Sequence, residues 1–315
     1  MTGIVAVGEC MIEFSRAVAG GDAWRLRHGG DTLNAATYLA RLGHQVAYLT
    51  ALGSDPFSEG MRNEWTAEGI DVSLVLTNAN RLPGLYLIET DPSGERAFHY
   101  WREQSAARSL FTCAGIDAAL AQAETADCLY LSGITLSLYD EAGRSRLRSL
   151  ASAIRLKGGE VVFDPNYRAR GWASPEEARR AFAAIAPIVT MALPTFDDEA
   201  TLHGDPDPEA TIARWKGHGV REVAVKLGPR GALVEGSVRP KLIPAVANHA
   251  ARDTTGAGDS FNAAYLAARR EGAEPGQAAA AGNALAAAVV RQPGAIIPRT
   301  LMPISVMRRV KASEG

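Results

Sequence analysis

Six short runs rich in apolar residues, at 4–7, 46–51, 128–132, 161–164, 188–193 and 223–227, recur along the chain between longer stretches of helical composition. The stretches at 32–41, 56–68, 140–157, 175–186, 259–270 and 277–291 carry the helical pattern. Strands covered on both faces read as nearly continuous apolar runs, and parallel neighbours need a crossover of a dozen or more residues. The alternation therefore predicts a parallel sheet with helices on both sides, a three-layer α/β/α sandwich. A length of 315 residues with 47% hydrophobic side chains is ample for one such domain over 1–315.

Two segments break the alternation. Residues 13–15 with 24–27, and 84–90 with 96–101, read as antiparallel strands, the second pair joined by the turn sequence Asp91-Pro92-Ser93-Gly94. Two excursions, at about 12–29 and 83–104, could pair with each other as a small β-sheet lid on the rim of the domain, or extend the edge of the main sheet.

The run Asp253-Thr254-Thr255-Gly256-Ala257-Gly258-Asp259 joins a glycine turn to the start of an apolar-periodic helix. The first turn of a helix has N–H groups without intrahelical acceptors and carries partial positive charge, so such a junction suits an oxyanion, phosphate above all. A carboxylate at Asp259 would be repelled by phosphate unless it had other work, such as accepting a proton from a hydroxyl nucleophile. An ordinary turn followed by an aspartate cap is the alternative.

Gly29-Gly30-Asp31-Thr32-Leu33-Asn34 places a second glycine pair before a helix, with Asp31 and Asn34 available to hydroxyls or serving only as a capped helix start. Asp164-Pro165-Asn166-Tyr167-Arg168 follows a strand, where open parallel sheets bind ligands; Arg168 could face an anion there or form a surface ion pair. Lys226-Leu227-Gly228-Pro229-Arg230-Gly231 is a glycine-rich bend suited to a nucleotide or to a plain hairpin.

Other chemistries lack their motifs. No Gly-x-x-x-x-Gly-Lys-Ser/Thr loop, dinucleotide fingerprint, His-Glu-x-x-His helix or Gly-x-Ser-x-Gly elbow occurs. A formal net charge of −2 without a long basic run argues against nucleic acid or an anionic membrane as partner. Cys10, Cys113 and Cys128 show no metal or disulfide spacing and read as buried thiols. The first residues lack the pattern of a secretory signal and no run is long enough to span a bilayer, so a cytoplasmic protein is expected.

With both glycine motifs in place, the chain resembles the ribokinase-like (PfkB) family of sugar kinases over nearly its full length. Gly29-Gly30 through Gly43 looks like the first family signature and Asp253 through Asp259 like the second. Val7-Gly8-Glu9-Cys10-Met11-Ile12-Glu13, Arg81-Leu82-Pro83-Gly84-Leu85-Tyr86, Phe98-His99-Tyr100-Trp101-Arg102, Tyr130-Leu131-Ser132-Gly133-Ile134 and Gly294-Ala295-Ile296-Ile297-Pro298-Arg299 are similar to the members that act on 2-keto-3-deoxy sugar acids.

The resemblance implies an α/β/α domain with a β-sheet lid. It implies a sugar acid held by Gly30, Asp31, Asn34, Tyr86, Tyr100, Arg102 and Arg168, with Asp259 as proton acceptor. Two arginines suit a carboxylate, whereas a neutral sugar would leave their charge unmatched; the tyrosines could instead be packing residues. ATP is expected along Asn166, Thr195, Lys226, Gly228 and Gly231, with its γ-phosphate over Gly256, Ala257 and Gly258, Asn283 near the purine or ribose, and Mg²⁺ bridging the phosphates. The family's Asn-x-x-Glu metal motif stands here as Thr195-Phe196-Asp197-Asp198, which makes Asp198, acting through water, the aligned acid, with Glu199 beside it.

The implied reaction is ATP- and Mg²⁺-dependent phosphorylation of the 6-hydroxyl of 2-dehydro-3-deoxy-D-gluconate. A kinase of a neutral sugar such as fructose or ribose, and a regulator that binds nucleotide or sugar without catalysis, are the alternatives. An exposed lid edge would also offer a surface for pairing two copies.

Overall fold

The computed structural model describes residues 3–16, 23–90, 96–235, 239–247, 251–303 and 305–306. The turn at 91–94 lies outside them, as do residues 17–22 of the first excursion.

In chain order the strands are β1 (Ile4–Val7), β2 (Met11–Arg16), β3 (Trp24–Gly29), β4 (Val46–Leu52), β5 (Ile70–Asp71), β6 (Val75–Thr77), β7 (Gly84–Thr90), β8 (Arg96–Trp101), β9 (Cys128–Ser132), β10 (Glu160–Asp164), β11 (Met191–Ala192), β12 (Glu222–Lys226), β13 (Ala232–Val234) and β14 (Lys241–Ile243). The helices are α1 (Asp31–Arg41), α2 (Pro56–Ala67), α3 (Ile116–Ala123), α4 (Gly133–Ser137), α5 (Glu141–Leu156), α6 (Pro175–Ile185), α7 (Phe196–His203), α8 (Pro208–Gly217), α9 (Ala257–Arg270) and α10 (Pro275–Val289).

The main sheet runs β14-β13-β12-β11-β10-β9-β1-β4-β5, with β6 also on β4. It is parallel from β12 to β5 and ends in the antiparallel β12–β13–β14 meander. Successive side chains point to opposite faces, and the two hydrophobic cores divide accordingly. Ile4, Ala6, Cys128, Tyr130 and Val162 pack with residues of α1, α2, α9 and α10. Val5, Val7, Leu129, Leu131, Val161 and Phe163 pack with α3, α5, α6 and α8 on the other side. This is the sandwich that the strand–helix alternation predicts, and all three cysteines are free and buried within it.

Local signals set the helix starts. Asp55, Asp140, Ser174 and Asp207 each accept a hydrogen bond from the first turn of the helix they precede, and Pro56, Pro175 and Pro208 occupy its first position. The strand expected at 188–193 is confined to Met191–Ala192, because a single 3₁₀ turn at Ala186–Ile188, with Pro187 inside it, occupies the approach.

Residues of the two excursions form a separate four-stranded sheet, β3-β2-β7-β8. The β2–β3 and β7–β8 pairs are antiparallel and β2 joins β7 in parallel. Its own apolar cluster is thin: Met11, Tyr86 and Ile88, with Phe98 packed against them. Ile12 of β2 belongs to the core of the main body, with Phe14 and Leu85 packed against it, and polar side chains add further ties. Arg27 donates to the carbonyl of Pro293 at 2.9 Å, and Arg170 donates to the carbonyl of Phe98 at 3.1 Å. Among the described residues, no helix is long and apolar enough to cross a membrane.

Trp65 on α2 is 1% exposed and meets the ring of Tyr48 edge-on, with centroids 5.2 Å apart. Trp65→Ala should cost about 3–5 kcal/mol of unfolding free energy, with Trp65→Phe well below that. A urea melt with unchanged cooperativity is the check.

Candidate active site

Chain order reverses in the main sheet at β1, which has β9 on one side and β4 on the other; such a switch point opens a crevice beyond the carboxyl ends of the strands. Polar residues gather there. Glu9 follows β1, Ser132 ends β9, Asp164 ends β10 and Lys226 ends β12, all buried.

Behind the crevice lies a buried polar network. Lys226 Nζ donates to Asp164 Oδ2 at 2.8 Å and to Asn262 Oδ1 at 3.0 Å. The Asn262 amide donates to the same Asp164 oxygen at 2.6 Å and to the Tyr130 hydroxyl at 3.0 Å. Four elements, β9, β10, β12 and α9, are thereby held in one register. A few residues on, Asn166 takes φ +34°, rare for a residue with a side chain. Its N–H bonds Asp164 Oδ1 at 3.2 Å and its amide donates to Asp31 Oδ2 at 2.9 Å.

Helix α9 enters from the loop at 253–256. Gly256 has φ +73°, and a Cβ there would lie 2.6–2.8 Å from atoms of Ala295, so only glycine fits the turn. Asp253 secures both sides of the loop: Oδ1 accepts from Thr255 N–H at 2.9 Å and Oδ2 from Gly294 N–H at 2.7 Å. Lys226 Nζ lies 3.6 Å from the place a Cβ would occupy on Gly258. An ammonium group, a helix N-terminus and unobstructed backbone thus converge, the requirements of an oxyanion site.

Asp259, in the first turn of α9, accepts from Asn34 Nδ2 at 2.8 Å through Oδ2. Burial, reinforced by the neighbouring charges of Asp31 and Asp164, pushes its carboxyl up to about 7 against the opposing pull of Asn34 and Lys226. Burial also raises Asp31, opposed by hydrogen bonds from Ser132 and Asn166.

Two cavities flank this centre. A cleft of about 1080 Å³ lies between the small sheet and the main body, with Gly30, Asp31, Tyr100, Arg102 and Arg168 in its walls. A slot of about 490 Å³ lies on the other side of the α9 N-terminus, where Lys226, Gly228, Gly231, Ala257, Gly258 and Asn283 line it. The cleft is rich in charge. The slot is largely apolar, with Val246, Phe261 and Val290 also in its walls.

Some expected residues lie elsewhere. Tyr86, Asn166 and Thr195 line neither cavity. The Tyr86 hydroxyl donates to Glu13 at 2.5 Å, and Thr195 forms a bridge to Lys226 just before α7. Asn283 donates to the carbonyls of Ile243 and Pro244 at 3.1 and 3.0 Å, bracing the slot wall. Asp198 faces Arg168, whose Nη1 reaches both carboxylate oxygens at 3.1 and 3.0 Å. Glu199, itself fully buried, pairs with Arg214 and accepts from the Trp215 indole instead, and it lines neither cavity. Among the described residues, no group of three or more His, Cys, Asp or Glu side chains could hold a metal ion.

Sequence reasoning assigned no role to Glu9, Arg108 or Arg170, which also line the cleft. Glu9 is 2% exposed, and its Oε2 accepts from Arg102 Nη2 at 2.5 Å. The available signal was a carboxylate two residues beyond a strand buried at every position.

The pfkB family carbohydrate kinase model matches residues 1–301. The 2-dehydro-3-deoxygluconokinase of Escherichia coli (strain K12) is 44% identical over 310 residues, covering 95% of this chain and 98% of that protein. The enzyme of the same name from Dickeya dadantii (strain 3937) is 42% identical over 307 residues, with the same coverage. A crystal structure of 2-dehydro-3-deoxygluconokinase from Thermotoga maritima superposes with a TM-score of 0.85 at 21% identity, covering 99% of this chain and 98% of that one, a likeness of fold.

An aspartate raised to about 7 in the native state and titrating near 4 when unfolded keeps a proton that the unfolded chain releases. Its contribution to stability is therefore lost as pH rises from about 4 to 7, and its penalty is full above 7. Asp259→Asn should raise the melting temperature relative to wild type at pH 8, and calorimetry should find that gain fading toward pH 4.

Proposed function

The chain belongs to the pfkB family of carbohydrate kinases, and on that premise we propose that it transfers the γ-phosphoryl of ATP to the 6-hydroxyl of 2-dehydro-3-deoxy-D-gluconate. The observation that carries the reading is Asp259 at the head of α9, between a charged cleft and an apolar slot, with a carboxyl raised to about 7. A base with that affinity is suited to neutral pH: it takes the proton as the hydroxyl acidifies during phosphoryl transfer.

In this reading the small sheet is a lid, and the sugar acid occupies the cleft. Arg102 and Arg168 meet its carboxylate, while Gly30, Asp31, Asn34 and Tyr100 meet its hydroxyls. Tyr86 supports the lid from behind through Glu13. Asn34 orients Asp259 with an N–H and keeps an oxygen that has no partner among the described residues, available to a hydroxyl. The slot suits a purine, gripped by packing against Phe261 and the alanine-rich face of α10. Gly256, Ala257 and Gly258 then offer backbone N–H groups to the transferring phosphoryl, and Lys226 adds positive charge.

Magnesium fits as a guest of the nucleotide. The described residues offer it no cage, and a metal that keeps most of its waters can be held by phosphates with Asp198 acting through water. The ion would neutralise phosphate charge.

The experiment is ADP release with Mg²⁺ and ATP for 2-dehydro-3-deoxygluconate, its galactonate epimer, fructose and ribose at equal concentration. Strong preference for the sugar acids is expected; preference for a neutral sugar would overturn the substrate. Asp259→Ala should abolish nearly all turnover with ATP binding retained. Wild-type kcat/KM should fall about tenfold per pH unit below about pH 7, as Asp259 takes up its proton.

Arg168→Ala should raise the Michaelis constant for the sugar acid while sparing that for ATP. An unchanged constant would favour a neutral-sugar kinase in which Arg168 serves only its ion pair with Asp198.

A further inference from the structure

The chain passes between the main body and the small sheet at several points. Residues 8–10 link β1 to β2, Gly30 links β3 to α1, Gly84 begins β7, and Arg102 follows the last residue of β8. Glu9 touches the other three. A Cβ on Gly30 would lie 2.0 Å from the Glu9 carbonyl oxygen, so the backbones are in close contact there. A Cβ on Gly84 would lie 2.9 Å from Glu9 Oε1. The remaining oxygen, Oε2, holds Arg102 Nη2 at 2.5 Å.

The pair is deeply set, with the Glu9 side chain 1% and the Arg102 side chain 15% exposed. Two of its polar atoms, Glu9 Oε1 and Arg102 Nε, have no partner among the described residues, although both side chains line the cleft. A guanidinium has five N–H donors, and Glu9 takes one. The rest can be presented to a planar acceptor, provided the flexible arginine stem is held.

We propose that Glu9 is a positioning residue: it pins the crossings between body and small sheet and, through one oxygen, fixes the guanidinium of Arg102 toward the sugar. The inference rests on the reading of the cleft as the sugar site. A carboxylate with no contact to the reacting atoms thereby governs affinity for the acceptor. The positional constraint outweighs the charge that Glu9 subtracts from Arg102, because a misplaced fork loses paired hydrogen bonds to the substrate.

The test is steady-state kinetics of Glu9→Ala and Glu9→Gln on whichever sugar the wild type phosphorylates best. A wrong substrate then shows in the wild type, and a wrong role for Glu9 only in the variants. Glu9→Ala should raise the Michaelis constant for the sugar at least about tenfold and leave that for ATP within about twofold. Glu9→Gln, whose amide oxygen can still accept from Nη2, should recover most of the loss. In an Arg102→Ala background, Glu9→Ala should add less than about twofold, as expected of two groups acting as one.

Gly84→Ala crowds Oε1 at 2.9 Å, together with Met11 Cγ at 2.9 Å and Arg102 Cβ at 3.2 Å, without altering any charge and should reproduce the selective rise, so the proposal stays testable if Glu9→Ala fails to fold. A lowered constant in both Glu9 variants would mean that charge compensation governs and would overturn the proposal. So would equal changes in the sugar and ATP constants, or full additivity with Arg102→Ala.

Discussion

The contact between Lys226 and Asp164, closed by Asn262, is the constraint on which the site depends. The carboxyl ends of the strands bring Asp31, Asp164 and Asp259 into one crowded region, and burial makes each negative charge expensive. One ammonium group and two amide side chains, from Asn166 and Asn34, offset that crowd. Removing one partner of such a buried pair typically costs about 3–5 kcal/mol, since the other charge is left behind. The same three residues join β10 and β12 to α9, so the helix whose N-terminus faces the crevice is placed by the network that tolerates the acids.

The two cavities on either side of the head of α9 differ in chemistry. On one side the walls are charged and come largely from arginines on segments far apart in sequence; on the other they are mostly alanine, valine and phenylalanine. Directional polar contacts discriminate among hydroxylated molecules, whereas an apolar slot selects by thickness and shape. Asp259 belongs to neither wall, which leaves its carboxyl half-buried, surrounded by protein and raised in proton affinity.

The layered fold was legible because its signal is periodic. The runs at 4–7 and 128–132 stand as strands over those same residues. Short helices were harder: α3, α7 and α8 have eight to ten residues, too few turns for a pattern to accumulate. The turn into α9 was legible because its glycines and Asp259 fall within four consecutive residues. Tyr86 was assigned toward the sugar, but its hydroxyl meets Glu13, 73 positions earlier, a pairing fixed by the parallel register of β2 and β7. Glu9 stood within the Val7–Glu13 stretch of the resemblance without a role, because its contacts form where separate crossings meet in space.

The small sheet has a consequence for how stability is distributed through the molecule. Ile12, Phe14 and Leu85 of β2 and β7 pack with the core of the main body, whereas the cluster that belongs to the sheet alone holds three buried residues and one half-buried phenylalanine. Regions with few buried contacts open at free energies below that of global unfolding and behave as separate cooperative units. The edge strands β3 and β8, which add no described side chain to the core of the main body, should therefore exchange their amide hydrogens ahead of the sandwich. Sequence change can then accumulate in those strands, altering what the cleft admits, while the melting of the body remains the property of the layers beneath.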